Sequence, residues 1–365
     1  MNSDICTIGV IGAGAISGIY LKNLTGVMPG VRVKCVSAAH FERAQKKAEE
    51  YGVLAVTTEE MLSDPEVDMV LVLTPVDTHY ALIRAALTAG KHVYTEKTIT
   101  QTSEEAAELR RLAAERGLYL GCAPDTVLGA SLQTARKALE DGVIGEVTGF
   151  SACITRSNDF LTGYLPFLRL PGAGALRDYL IYYLNALVSL LGPVAEVSAK
   201  IRTPYPTRVN PVPGTPDYGK EIPTPNESIV TAWVELESGL TGTLTEMNET
   251  ILHDLADFMI YGREGVLLLG CPNNFGDPVR ILKNAGRETP VPQPLPMTTL
   301  YAENSRGVGP AEMAAAIREG RPSRMDASRA AHLLDVIEAM EESDRTGRSM
   351  RVESTCDKPA GFEGM

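Results

Sequence analysis

The first third of the chain alternates short apolar runs with segments of helical periodicity. β-Strands are predicted at the apolar runs, residues 5–10, 31–36, 69–73, 92–95 and 119–122. Helices are predicted between them, at residues 42–51, 77–89 and 102–117. The run at 69–73 is apolar throughout, which is typical of a parallel strand buried on both faces. The alternation therefore predicts an α/β domain with a parallel, doubly wound sheet and a ligand at the carboxyl ends of its strands.

The pattern changes after about residue 123. A helix at 131–140 is followed mainly by strand-like segments, at residues 146–155, 194–201, 229–236, 242–247, 258–261, 266–269 and 279–282. These predict an α+β second domain with an open, mostly antiparallel sheet. We expect one domain over 1–123 and a second over 124–365. Whether the helices predicted at 310–319 and 327–342 pack back on the first domain is left open.

Two further segments of the second domain have unusual composition. Residues 176–191 are apolar almost all round, which predicts a buried helix. Residues 203–225 hold many prolines and few large apolar side chains, which predicts a long surface loop or arm that lines a site or an interface.

A glycine-rich stretch joins the first predicted strand to the helix that follows it. Its spacing is G-x-G-x-x-x-G, formed by Gly12, Gly14 and Gly18. Gly12 permits a tight turn, and Gly14 leaves the backbone open to close approach. The N–H groups at the helix start, including those of Ala15 and Ile16, are free to bind an anion. The stretch therefore predicts a dinucleotide diphosphate site.

Composition narrows the class of protein. The 365 residues carry a formal net charge of −12, which disfavours nucleic acid as a partner. The six cysteines form no C-x-x-C pair, which disfavours a zinc cluster, and the histidines other than His79 show no metal-ligand spacing, so we expect no metal site. Free cysteines in apolar runs suit a reducing compartment, and no secretory leader or membrane span is recognisable. We expect a cytoplasmic protein without membrane contact.

Four motifs occur in a fixed order along the chain. They are Gly12-Ala13-Gly14, Thr74-Pro75 with His79, Glu96-Lys97, and Asp178 ahead of the apolar helix. Together they resemble the Gfo/Idh/MocA oxidoreductase family, and the resemblance covers essentially the whole chain. It implies a Rossmann domain followed by an open-sheet domain. It also implies nicotinamide-dependent oxidation or reduction of sugars, polyols and related hydroxyl compounds.

The same resemblance assigns catalytic roles. Lys97 takes the leading acid/base role, since a lysine beside the cofactor can accept the hydroxyl proton or polarise the forming carbonyl. Glu96 would orient the cofactor. The alternative is that Lys97 is a surface lysine that forms a salt bridge with Glu96. The family's D-x-G-x-H element reads Asp178-Tyr179-Leu180-Ile181-Tyr182, so Tyr182 replaces the usual histidine. Asp178 and Tyr182 would bind the reacting hydroxyl. The alternatives for Tyr182 are a base whose pKa is lowered by Lys97 and a core aromatic.

Further contacts are expected around these groups. The cofactor would touch Thr74, Pro75 and His79, although a structural role in that turn is equally consistent with His79. Substrate contacts are expected from charged loop residues, each of which could equally be a solvated charge: Arg156, Asp159, Arg169, His253 and, in the A-P-D-T segment, Asp125.

The choice between NAD and NADP is weakly marked. An acidic residue about 20 positions after the glycines normally binds the adenosine ribose. Here Ala38 occupies that place, and no Asp or Glu occurs from residue 31 to 41. Ser37 and His40 are expected to bind the cofactor and could serve either NAD or NADP. We expect NAD to be the cofactor, because most members of the family use it, and NADP is the alternative.

The sequence thus predicts an NAD(P)-dependent oxidoreductase acting on a secondary hydroxyl of a sugar, glycoside or cyclic polyol, with a keto-sugar as one expected product. An enzyme that retains its cofactor and uses transient redox for elimination or glycoside cleavage is one alternative. A non-catalytic sensor on the same scaffold is another. A homo-oligomer is expected, because an open sheet face is usually covered by a partner.

Overall fold

The computed structural model describes residues 5–251, 255–284, 286 and 288–365. The chain forms two compact units. The first contains residues 1–129, 301–334 and 362–365, and the second contains residues 130–300 and 335–361. The sequence boundary after residue 123 remains a prediction.

The first unit is built on a six-stranded, all-parallel sheet. Its strands are β1 (Cys6–Ile11), β2 (Val31–Ser37), β3 (Leu54–Ala55), β4 (Met69–Val72), β5 (His92–Thr95) and β6 (Leu120–Cys122). The helices between them are α1 (Ser17–Gly26), α2 (Phe41–Tyr51), α3 (Thr58–Ser63), α4 (His79–Thr88) and α5 (Ser103–Glu115). The strand order is β3-β2-β1-β4-β5-β6, the doubly wound order of dinucleotide-binding domains.

The apolar pattern explains this sheet. Every residue of β4 is fully buried, as the continuous apolar run predicts. One side packs against α4 and α5 through Ile83, Leu87, Ala106 and Leu109, all of which have at most 1% exposure. Sequence analysis missed the two-residue strand β3 and the short helix α3, because neither is long enough to show a period.

The second unit is built on a nine-stranded sheet. Its elements are α6 (Ala130–Glu140), β7 (Val147–Thr155), α7 (Asn158–Tyr164), α8 (Ile181–Leu191), β8 (Val194–Arg202), β9 (Thr207–Val209), β10 (Glu221–Pro223), β11 (Ile229–Leu236), β12 (Thr241–Met247), β13 (Leu255–Gly262), β14 (Gly265–Leu269), β15 (Arg280–Lys283) and β16 (Gln293–Pro294). The later elements are α9 (Val308–Glu319), which belongs to the first unit, α10 (Ala327–Thr346), whose residues are divided between the units, and β17 (Met350–Arg351).

The large sheet is mixed and mostly antiparallel, which confirms the predicted fold class. Its order is β16-β15-β14-β13-β7-β12-β11-β8-β17, and β7 and β12 are its parallel neighbours. Along β11, Val230, Ala232 and Val234 are fully or almost fully buried, whereas the alternate residues Thr231 and Trp233 are not. This alternation gives the sheet one core face and one more accessible face.

The proline-rich segment differs from the loop that its composition predicts. It contains β9 and β10, which pair antiparallel with Ile222 opposite Arg208. The open end of the hairpin is held by two hydrogen bonds: Thr224 N–H donates to Pro206 O at 2.8 Å, and Thr224 Oγ1 donates to Tyr205 O at 2.8 Å. Among the described residues, no helix is both long and apolar enough to cross a membrane.

Candidate active site

The glycine turn after β1 leaves room for an anion. Gly12 has φ +117°, and a Cβ there would lie 2.7 Å from the carbonyl carbon of Leu73. Apart from Gly14 and its two chain neighbours, no described heavy atom lies within 4 Å of the place a Gly14 Cβ would occupy. Gly14 O accepts a bond from Ser17 Oγ at 2.7 Å, which fixes the loop, and the first turn of α1 contains no acidic residue. Ala15 is exposed and Ile16 half-buried at this open helix start, so the residues present fit a diphosphate.

The end of β2 does not supply a ribose-binding carboxylate. Ser37 is fully buried, and its hydroxyl lies 3.1 Å from Thr58 Oγ1, so it faces the interior of the unit. Ala38 is half-buried, whereas His40 and Arg43 are exposed at the start of α2. The exposed charged or titratable groups that follow this strand end are therefore His40, Glu42 and Arg43, and none of them occupies the Ala38 position.

The loop after β4 is organised by His79. Its Nε2 lies 2.8 Å from Thr74 O and its Nδ1 lies 2.8 Å from Thr98 O, and the side chain is fully buried. His79 therefore holds the loops after β4 and β5 together. Thr74 is half-buried and Pro75 exposed, so both remain at the surface where the predicted cofactor contacts would be made.

Glu96 and Lys97 follow directly after β5. The Glu96 carboxylate accepts a bond from Tyr20 Oη at 2.8 Å and one from the Lys97 backbone N–H at 2.9 Å. Burial, followed by the nearby Glu96 charge, raises the pKa of Tyr20 well above its usual value, so the phenol stays a donor. The half-buried Lys97 therefore follows a glutamate that is anchored to α1.

Asp125 has a structural environment. Its carboxylate is 1% exposed, and Oδ2 accepts the N–H groups of Gly307 and Gly309 at 2.9 and 3.1 Å. Burial raises the pKa of Asp125 to about 6, against the opposing effects of Arg306 and the two amides. The side chain thus caps the start of α9 in the first unit, a structural role in place of the expected substrate contact.

Asp178 lies in a π-helical turn, Leu176–Leu180, that leads into α8. Asp178 Oδ2 is 3.6 Å from Arg156 Nη1, and the two side chains are 16% and 12% exposed. The Arg156 guanidinium stacks on the Tyr179 ring, 3.7 Å from its centroid. π-Helical turns occur frequently at functional sites. Asp178 is thus an accessible carboxylate with a cation fixed beside it.

Tyr182 is buried beside this turn. It is 9% exposed, and its ring centroid lies 6.1 Å from that of Tyr179. The second unit therefore brings together three residues singled out from the sequence: Arg156, Asp178 and Tyr182. Tyr179 is a fourth member that sequence reasoning did not assign, although it stands next to Asp178.

The structure adds a buried acid to this group. Glu246 on β12 has no exposed surface; its Oε1 accepts a bond from Asn248 Nδ2 at 2.7 Å, and its Oε2 has no hydrogen-bond partner among the described residues. Burial raises its pKa to about 8, with Arg156 acting in the opposite direction. Glu246 lies on the same buried face of β12 as Leu244, two residues earlier. An acidic residue at a position where the alternating pattern predicts a buried apolar side chain is the sequence signal that could have identified Glu246.

The remaining predicted substrate contacts are placed differently. Arg169 donates to Asp217 Oδ2 at 2.7 Å and to Thr162 O at 2.8 Å, so it ties the proline-rich segment to α7. Asp159 accepts a bond from Arg208 at 2.5 Å. His253 lies outside the described residues.

Comparison with known proteins decides the family. A model described as "Oxidoreductase family, NAD-binding Rossmann fold" matches residues 6–123, and one for the "GFO/IDH/MocA C-terminal domain" matches residues 132–268. The chain belongs to the Gfo/Idh/MocA oxidoreductase family. The recognition made from the ordered motifs is confirmed, and the first domain is an NAD-binding Rossmann fold.

Individual relatives agree with this family. The chain is 30% identical over 191 residues to the uncharacterized oxidoreductase YdgJ of Escherichia coli (strain K12), covering 52% of this chain and 55% of that protein. It is 34% identical over 194 residues to dTDP-3,4-didehydro-2,6-dideoxy-alpha-D-glucose 3-reductase of Streptomyces antibioticus, covering 53% and 59%. The chain thus spans little more than half the length of these curated relatives.

A solved structure of levoglucosan dehydrogenase, in complex with NADH and levoglucosan, has a TM-score of 0.82 to this chain. The two are 18% identical, over 96% of this chain and 100% of that one. At this identity the similarity shows the shared Gfo/Idh/MocA fold.

Proposed function

We propose that this chain is an NAD(P)-dependent dehydrogenase that acts on a secondary hydroxyl of a sugar, glycoside or cyclic polyol. The observation that carries the proposal is the pair at the end of β5, where Lys97 follows a Glu96 fixed by two hydrogen bonds. The Asp178–Arg156 pair of the second unit supports it, because a carboxylate with an adjacent guanidinium suits hydroxyl recognition.

Each residue has a proposed role. Lys97 in its neutral form accepts the hydroxyl proton as the carbonyl forms, and in its ammonium form it returns that proton in the reverse reaction. Asp178 and Tyr182 bind the reacting hydroxyl, and the Tyr182 hydroxyl donates a hydrogen bond to its oxygen. A bound nicotinamide would supply the hydride acceptor, so that alcohol and oxidised cofactor would give ketone, reduced cofactor and one proton.

NAD is the proposed preferred cofactor, and NADP is the alternative. Family membership supports NAD. Ala38 supplies no carboxylate for the ribose, and exposed His40, Glu42 and Arg43 follow it at the start of α2. An assay of both cofactors decides this point, and a clear preference for NADP would overturn the proposal.

The substrate class is proposed from relatives. One relative's name describes reduction at carbon 3 of a nucleotide-linked sugar, and one structural neighbour is named for oxidation of levoglucosan. Both names describe chemistry at a sugar oxygen. Oxidation of a glycoside to a keto-sugar is therefore the subclass we favour.

A screen for reduced cofactor over sugars, glycosides and inositols tests the proposal. We expect turnover with at least one member of the panel, lost in Lys97→Met. Product formed without net reduced cofactor, by protein that carries tightly bound nicotinamide, would instead show transient redox. Nucleotide binding with no turnover across the panel would show a sensor.

We also propose a homo-oligomer formed through the accessible face of the large sheet. Thr231 and Thr243 are exposed on that face, in the central strands β11 and β12. Light scattering measures the assembly mass, and a Thr243→Arg variant should lower it. A monomeric wild-type protein would contradict the proposal.

A further inference from the structure

The helix start that carries Asp178 lacks a cap of its own. Ala175 precedes the π-helical turn with helical dihedral angles and gives no side-chain hydrogen bond. The first N–H groups of a helix need acceptors from elsewhere. Any residue that supplies them also fixes the turn in which Asp178 lies.

Glu227 supplies these acceptors from a distant part of the chain. Its backbone O accepts the Ala175 N–H at 3.0 Å, and its Oε1 accepts the Leu176 N–H at 3.1 Å. A carboxylate at this end of a helix also interacts favourably with the helix dipole. Burial raises the pKa of Glu227, and the N–H of Leu176 and the charge of Arg177 oppose that rise.

The chain around Asp178 leaves space for this carboxylate. A Cβ on Gly174 would lie 2.1 Å from Glu227 Oε2 and 2.2 Å from its Cδ. Gly174 O also accepts the Asp178 N–H at 2.8 Å. Gly174 therefore contacts Glu227 on one side and the backbone of Asp178 on the other.

Glu227 is itself held firmly by its neighbours. Asn226 Nδ2 donates to Leu168 O at 2.8 Å and to Leu170 O at 2.7 Å. Ser228 N–H donates to Arg202 O at 3.0 Å, and Ser228 O accepts the Asn248 N–H at 2.9 Å. The acceptors that reach the π-helical turn thus project from an anchored segment between β10 and β11.

We propose that Glu227 is a positioning residue for Asp178: its carboxylate fixes the π-helical turn so that the Asp178 carboxylate stays beside Arg156. The inference rests on the proposed function, in which Asp178 binds the reacting hydroxyl. A shift of about 1 Å in such a group can cost roughly 100-fold in rate. Glu227 touches neither substrate nor cofactor in this proposal.

Two uncharged variants with side chains of similar length distinguish the effect of the hydrogen bond from the effect of side-chain size. Glu227→Gln keeps an oxygen acceptor at the Leu176 N–H, whereas Glu227→Met removes it. We expect Gln to leave kcat within about threefold of wild type and Met to lower kcat by roughly 10–100-fold, with the KM for cofactor unchanged in both. Glu221→Met, at an exposed site on β10, is the matched control and should behave as wild type.

A double-mutant cycle with Asp178→Asn, measured by kcat, distinguishes an effect that acts through Asp178 from a general structural defect. If Glu227 acts through Asp178, the Met substitution costs little further activity once Asp178 is Asn. An equal fold-loss in both backgrounds, or equal kcat for the Gln and Met variants, overturns the inference. If Glu227→Met does not fold, Gly174→Ala replaces it in the cycle, because the added methyl displaces the carboxylate.

Failure of the proposed function is distinguishable in the same experiment. Wild-type turnover by Asp178→Asn would remove Asp178 from the mechanism and the inference with it. Loss of turnover in Asp178→Asn, together with equal activity of the two Glu227 variants, would overturn the inference alone.

Discussion

The Tyr20 hydroxyl donates a 2.8 Å hydrogen bond to Glu96, linking the helix after the glycine turn to the end of β5. Glu96 uses its other oxygen to accept the backbone N–H of Lys97. One carboxylate thus connects α1, at whose start the diphosphate site is predicted, to the backbone of Lys97, the proposed acid/base. Glu96 therefore fixes the start of the loop in which Lys97 lies.

Removing the Lys97 amine should abolish proton transfer while leaving cofactor binding intact. We expect Lys97→Met to lower kcat by about 10²–10⁴-fold, the usual contribution of a positioned acid/base. Steady-state kinetics and titration with reduced cofactor measure the two effects. Lys46→Met, at an exposed position of α2, is the control. Retention of turnover within a few fold would contradict the role of Lys97.

Tyr182→Phe tests whether the buried phenol takes the histidine's place. Loss of one hydrogen bond to substrate should lower kcat/KM by about tenfold, and the pH–rate profile should keep its shape because Lys97 is the proposed acid/base. Tyr183→Phe is a neighbouring control, since Tyr183 is fully buried with its ring 5.8 Å from that of Phe258. Near-wild-type turnover with an unchanged profile would place Tyr182 in the core only.

An acid at the end of β2 should sharpen cofactor choice. Ala38→Asp would supply the carboxylate that binds an adenosine ribose and repels a 2′-phosphate. We expect the ratio of kcat/KM for NAD over NADP to rise by about tenfold or more, equivalent to about 1.4 kcal/mol. Ala39→Asp, one residue further and exposed, is the control. An unchanged ratio in Ala38→Asp would mean that this strand end does not face the ribose.

The buried acid Glu246 should make stability depend on pH. Its folded pKa of about 8 lies above its ordinary value of 4.5, so the folded state binds the proton more tightly than the unfolded state. Glu246 therefore favours folding at low pH, and this contribution falls as pH rises from about 4.5 to about 8, by at most about 1.4 kcal/mol per unit. Above about pH 8 the stabilising contribution of Glu246 is lost completely.

Glu246→Gln should remove this slope. We expect the variant to gain stability over wild type progressively between about pH 5 and about pH 8, measured as the urea midpoint of unfolding. Glu237→Gln, at an exposed position, should follow the wild-type curve. Parallel curves for wild type and Glu246→Gln would show that Glu246 titrates normally.

Local patterns were sufficient to predict the fold class. The strand–helix alternation, the buried run of β4 and the turn at Gly12 depend on residues that are close in sequence, so they could be recognised before any contact was known. The same holds for the Glu96-Lys97 pair and for Asp178, which stand at fixed places relative to strands and a helix. Short elements such as β3 and α3, and the hairpin in the proline-rich segment, carried too little pattern to be predicted.

The contacts of the site residues could be identified only from the tertiary structure. Asp125 looks in sequence like a substrate contact, but its partners are the amides of Gly307 and Gly309, 182 and 184 residues away. Glu227 reaches Leu176 across 51 residues, and nothing near Glu227 in the sequence marks that contact.

Local period and motif order in the sequence were enough to predict the family, the two kinds of sheet and the proposed catalytic groups. The fold was needed to distinguish the carboxylates that are buried in structural contacts from those that keep some exposed surface. Burial and hydrogen-bond partners are set by segments that meet only after folding.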